Sequence, residues 1–140
     1  MTKKRLRAYR EMLNERDHLA GLIEELEVTI YGPKGVTLST TPKGGSMPGS
    51  ALENAVVRLT SLRDQYKHKV EVLTAELAEI EEAIDTLRPR ERQLLRLYYV
   101  EGMTWEQVAV VMGYSWRQVH RIHGEALRQL EKEEIETPQS

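Results

Sequence analysis

At 140 residues the chain is long enough for one ordinary domain or two small ones, and too short for most multi-step enzymes. Hydrophobic residues make up 40% and charged residues 30%, with no phenylalanine, a profile of helices with solvated faces rather than of a thick core. The absence of cysteine excludes a disulfide scaffold, a thiol nucleophile and every cysteine-based zinc site.

The formal net charge of −2 is unevenly spread. Residues 1–16 hold six Lys or Arg against two Glu, residues 71–87 six acids and no base, and residues 88–128 seven Arg against four Glu. Basic ends therefore flank an acidic middle, a distribution compatible with nucleic acid despite the negative total. No apolar stretch approaches the roughly 18 residues that cross a bilayer, and no apolar segment follows the basic first ten residues, so no membrane partner and a cytoplasmic location are expected.

Leu6, Tyr9, Met12, Leu13, Leu19, Leu22, Ile23, Leu26 and Ile30 recur at three- and four-residue steps, which predicts an amphipathic first helix. Residues 32–49 carry five Gly and three Pro, a composition that builds no packed element, so a flexible loop without a site is expected there. Ser50, with Glu53 three residues on, is expected to cap a second helix. In that helix Leu52, Val56, Leu59, Leu62, Tyr66, Val70, Leu73, Leu77, Ile80, Ile84 and Leu87 form a coiled-coil seam. The first two helices are expected to fold into an antiparallel hairpin over residues 1–87 that also pairs two protomers as a homodimer. The fold class is thus all-α: a long N-terminal helical hairpin followed by a small helical domain over 88–131, with a tail over 132–140.

Pro89 suits the first turn of a third helix, where its missing amide costs nothing. Gly102 ends that helix, Thr104 and Gln107 form a capping box for a fourth, Gly113 ends it, and Ser115 with Gln118 repeats the box for a fifth. Two short helices about three residues apart suggest a helix-turn-helix. Small Ala109 stands where the helices cross closely, and Val108, Met112, Val119 and Ile122 supply the apolar contacts that hold the crossing.

At 100° per residue, the fifth helix carries Val119, Ile122, Ala126 and Leu130 on one side and Arg117, Arg121, Gly124 and Arg128 on the other. Arg117 and Arg121, near the helix start, have the geometry to donate bidentate bonds to guanine, and Arg128 to reach phosphate. His120 flanks this face and can donate to a base or phosphate. Trp116 either touches the DNA backbone or packs on the third helix. Ser115 and Gln118 complete the DNA-binding set at the helix start, and Arg88, Arg90 and Arg92, with Arg96, are candidate phosphate contacts. Gly124 reflects either close approach of DNA or tolerated slack. His120 and His123 lack a third ligand, so no metal is expected, nor any cofactor. For Lys3, Lys4, Arg5, Arg7 and Arg10 a solvated helix end is favoured over nucleic-acid contact.

The run LRPRERQLLRLYYVEGMTWEQVAVVMGYSWRQVHRIHGEALRQL, Leu87 to Leu130, resembles region 4 of sigma-70 family factors. The resemblance rests on Pro89, Arg90, Glu91 and Arg92, on Glu101, Gly102 and Thr104, and on Ser115, Val119, Ile122, Ala126, Leu127 and Leu130. It implies a promoter-reading helix-turn-helix whose DNA contacts fall on Trp116, Arg117, His120 and Arg121, with RNA polymerase as a further partner. Such factors commonly carry an acid where this chain has Arg117, an arginine where it has His120 and a glutamine where it has Arg121, which implies a different target sequence. With no melting module present, the layout is similar to small phage and prophage regulators of the ArpU and RinA kind, acting in a bacterial cytoplasm.

The expected function is therefore a sequence-specific transcriptional regulator that reads the major groove of double-stranded DNA with helix 115–131. The alternatives are a small-terminase-like phage packaging subunit and a structural coiled coil. An enzyme is not expected, since no phosphate-cradling loop or nucleophile motif is present and there are no catalytic candidates.

Overall fold

The computed structural model describes residues 1–32 and 49–136, and the described residues form helices joined by short turns. In chain order these are α1 (Lys3–Tyr31), α2 (Gly49–Ile84), α3 (Pro89–Leu95) continuing into a π turn (Arg96–Val100), α4 (Trp105–Met112) and α5 (Trp116–Glu136). The expected loop over 32–49 lies almost wholly outside the described residues, as do the last four residues of the expected tail. The rest of that tail continues α5, which runs to Glu136 rather than ending at 131. Among the described residues no helix is long and apolar enough to cross a membrane.

The helices α1 and α2 form an antiparallel hairpin. Going up α1, Glu15 binds Lys69 at 2.7 Å, Glu27 lies 3.6 Å from Arg63, and Ile30 packs with Ala55 and Leu59, so partners on α2 fall in number as those on α1 rise. The helix α2 begins at Gly49, which places Ser50 inside the first turn rather than at the capping position expected for it.

The chain divides into two compact units. One unit is residues 14–72. The other joins Met1–Leu13 to the chain from Leu73 onward. The reason is a shared core: Leu6, Tyr9 and Leu13 of α1, and Leu73, Ile80 and Ile84 of α2, are buried with Leu94, Leu95, Leu97, Tyr99, Val108, Val119, Ile122, Ala126 and Leu130. The last three helices thus share one core with the ends of α1 and α2. Leu6 is fully sealed from solvent and Tyr9 nearly so.

Unit 14–72 is a two-helix arrangement with a thin core. Ala55, Leu59, Leu62 and Ile30 are buried, whereas Leu19, Leu22, Ile23, Leu26 and Tyr66 are only half-buried and Val57 is exposed.

Candidate nucleic-acid interface

The turn signals legible in the sequence are in place. Arg88 precedes α3 in an extended conformation, with Pro89 in its first turn. Before α4, the Gln107 amide donates to Thr104 Oγ1 at 3.2 Å and the Thr104 amide to Gln107 Oε1 at 2.9 Å. Before α5, Ser115 and Gln118 make the same pair of bonds at 3.2 and 2.9 Å. Gly113 ends α4 at φ 71°, a left-handed conformation that a side chain would strain, and its amide donates to the Ala109 carbonyl. Capping both sides of one glycine turn fixes the direction in which α5 leaves α4.

Val119, Ile122, Ala126 and Leu130 are buried on the inner face of α5, while Arg117, Arg121 and Arg128 are exposed on the outer face. Among the described residues no ion pair or side-chain hydrogen bond engages these three arginines, so their guanidinium groups are free to donate. Gly124 lies between them with no positive φ. A Cβ there would meet only the Arg128 guanidinium, at 3.6 Å, an ordinary contact.

Ser115 and Gln118 are exposed, but the Gln118 carboxamide oxygen and the Ser115 hydroxyl oxygen are occupied in the cap, which makes their first role the positioning of α5. Trp116 is 58% exposed and lies against His120, with ring centroids 3.9 Å apart. His120 in turn lies 4.5 Å from Trp105, and its Nε2 is buried without a hydrogen-bond partner. Trp105 stacks on Tyr98 at 3.8 Å, and Arg10 of α1 lies over the other side of the assembly, its guanidinium carbon 4.1 Å from the Tyr98 ring centroid. The order Arg10, Tyr98, Trp105, His120, Trp116 thus links α1, the π turn, α4 and α5. Sequence reasoning missed this stack, because Arg10 and Tyr98 are far apart in the chain and no local pattern pairs them.

The arginines around α3 divide into free and engaged groups. Arg88 is exposed, and Arg90 is exposed with its guanidinium 3.9 Å from Glu125. Arg92 is held back toward α2, donating to the Asp85 carbonyl at 3.2 Å and lying 3.8 Å from its carboxylate. Arg96 grips Glu81 through both nitrogens at 2.6 to 3.1 Å, a bidentate geometry that fastens the π turn to α2. That bond with Glu81 holds the Arg96 pKa above its ordinary value. Arg96 therefore serves the corner between α2 and α3, and Arg88 and Arg90 are the cations of this group most open to a ligand.

No curated protein and no solved structure matches the chain. Residues 83–132, from the last turn of α2 almost to the end of α5, match the family Sigma-70, region 4, and the structure gives that segment the helix-turn-helix of a DNA-binding domain of this kind.

Proposed function

We propose that the protein is a non-enzymatic, sequence-specific transcriptional regulator that lays α5 in the major groove of double-stranded DNA. The observation that carries this reading is the division of α5 into a sealed apolar face and an outer face of three unpaired arginines. Such a face without acidic partners is attracted to phosphate, and its first two members stand at the end of the helix that meets base edges in this motif. Arg117 and Arg121 read bases, Arg128, Arg88 and Arg90 meet phosphates, Trp116 contacts the backbone at the groove edge, and Arg92 contributes less because Asp85 holds it.

The finer reading is a regulator of phage or prophage type, acting in a bacterial cytoplasm, with RNA polymerase as the partner that promoter binding brings close. The half-buried Leu19, Leu22, Ile23 and Leu26 support pairing of two protomers through unit 14–72, since a two-helix arrangement leaves this surface to a further helix. Selection of bound duplexes from a randomised pool tests the main reading: an enriched motif is expected, and recovery of unselected sequence overturns it. Sedimentation equilibrium tests the pairing. A dimer is expected, and a ring of eight or more copies would favour a DNA-packaging role instead.

A further inference from the structure

The basic cluster at the start of α1 divides by direction. Taking the buried stripe Leu6, Tyr9 and Leu13 as the inner face, a helical step of about 100° puts Arg5 on one flank and Lys3, Arg7 and Arg10 on the other. Arg5 is spent on α2, where it hydrogen-bonds Glu76 and lies 3.6 Å from Glu79. Arg10 shows where the second flank points: it covers the Tyr98 ring and donates to the Met103 carbonyl at 3.1 Å, beside the entry to α4. Arg7 and Lys3 follow on the same flank, about one and two turns nearer the helix start. Both are exposed, and among the described residues neither is in an ion pair.

That flank runs beside α5. At one end Arg10 covers Tyr98, which stacks on Trp105 beside His120 of α5, and at the other the Met1 amino group lies 3.2 Å from Glu134 near the end of α5, so Lys3 and Arg7 fall between two contacts with that helix. On α5, His123 and Leu127 lie to one side of the arginine face, and Glu125 and Gln129 to the other. The second side borders a cleft lined by Arg88, Arg90, Glu125 and Gln129. The arginine face is thus bordered by Arg88 and Arg90 on one side and by Lys3 and Arg7 on the other. A helix inserted in the major groove lies between two phosphate backbones roughly 12 Å apart, which is the arrangement two lateral pairs of cations fit.

We infer that Lys3 and Arg7 form a second phosphate-binding track beside α5, engaging the backbone of the same duplex; this rests on the DNA reading above. Nothing within α1 accounts for these charges. Cations at a helix start oppose the macrodipole, and the first turn of α1 has no acid to offset them.

The test is titration of the full chain against a mixed-sequence DNA duplex over a series of salt concentrations. Lys3→Gln with Arg7→Gln is expected to weaken binding to every duplex alike and to lower the slope of log affinity against log salt by about 1.8, or ~0.9 per lost phosphate contact. Arg58→Gln with Lys67→Gln, two exposed cations of unit 14–72, removes the same net charge and is expected to leave the slope nearly unchanged. An unaltered slope in the Lys3 and Arg7 variant, or an equal fall in the control, overturns the track. Arg117→Gln with Arg121→Gln keeps the two failures apart. If that variant loses binding while the α1 variant keeps its slope, only the track is lost; if it binds like wild type, the reading of α5 itself fails.

Discussion

The Tyr99 hydroxyl lies 2.7 Å from His123 Nε2 inside the core that joins the π turn to α5. Burial pushes the tyrosine up to about 12 and the histidine down to about 4. Both groups therefore stay neutral, joined by a hydrogen bond whose direction follows the imidazole tautomer. Because the folded pKa of His123 lies below its ordinary value of 6.5, the folded state resists protonation that the unfolded state accepts. The stability tied to this pair is complete above about pH 6.5 and declines as pH falls toward 4. Urea midpoints measured between pH 7.5 and about 4.5 are expected to fall in the wild type, and in His123→Gln the portion of that fall beginning near 6.5 should vanish.

Arg121→Ala is expected to weaken binding to the selected sequence by roughly 1 to 3 kcal/mol and to relax preference at one base pair. Competition with duplexes altered one pair at a time reads the effect. An equal loss on all sequences would reassign Arg121 to phosphate.

Arg96→Gln should behave differently from its neighbours. Its grip on Glu81 joins two partly exposed side chains, so its loss costs up to about 1 kcal/mol of stability, as for other exposed pairs. The salt slope of DNA binding should stay as in the wild type, whereas Arg88→Gln with Arg90→Gln should lower it. The same titration as above separates the two groups.

Gly124→Ala should stabilise the free protein by about 1 kcal/mol, because α5 continues on both sides of this position and an added methyl meets no obstacle. Denaturant unfolding checks the gain. Affinity for the selected duplex should fall in the same variant, since the added methyl stands in the middle of the arginine face, against the Arg128 guanidinium.

What the sequence made legible was local. The capping boxes at Thr104 and Ser115, Pro89 in the first turn, the left-handed Gly113 and the inner face of α5 each depend on residues within a turn or two of one another, so spacing alone reveals them. The illegible features join distant positions. Arg96 reads as a fourth phosphate contact until Glu81 is seen beside it, and Arg10 as a solvated end until it lies over Tyr98. The widening of α3 into a π turn, marked by the Glu101 amide reaching back to the Arg96 carbonyl, likewise has no short-range signal. The core shared between the start of α1 and the last three helices has no short-range signal either. Periodicity shows that Leu6, Tyr9 and Leu13 share a face, but not which core that face closes.

Leu6, Tyr9 and Leu13 have one more implication. The recognisable segment begins at residue 83, yet part of the plug that keeps its interior dry is made from the opening turns of the polypeptide. The matched segment is consequently one part of a larger core, to which both long helices contribute. Excised at residue 83, that segment would lose Leu6, Tyr9, Leu13, Leu73 and Ile80 from the core it shares with them.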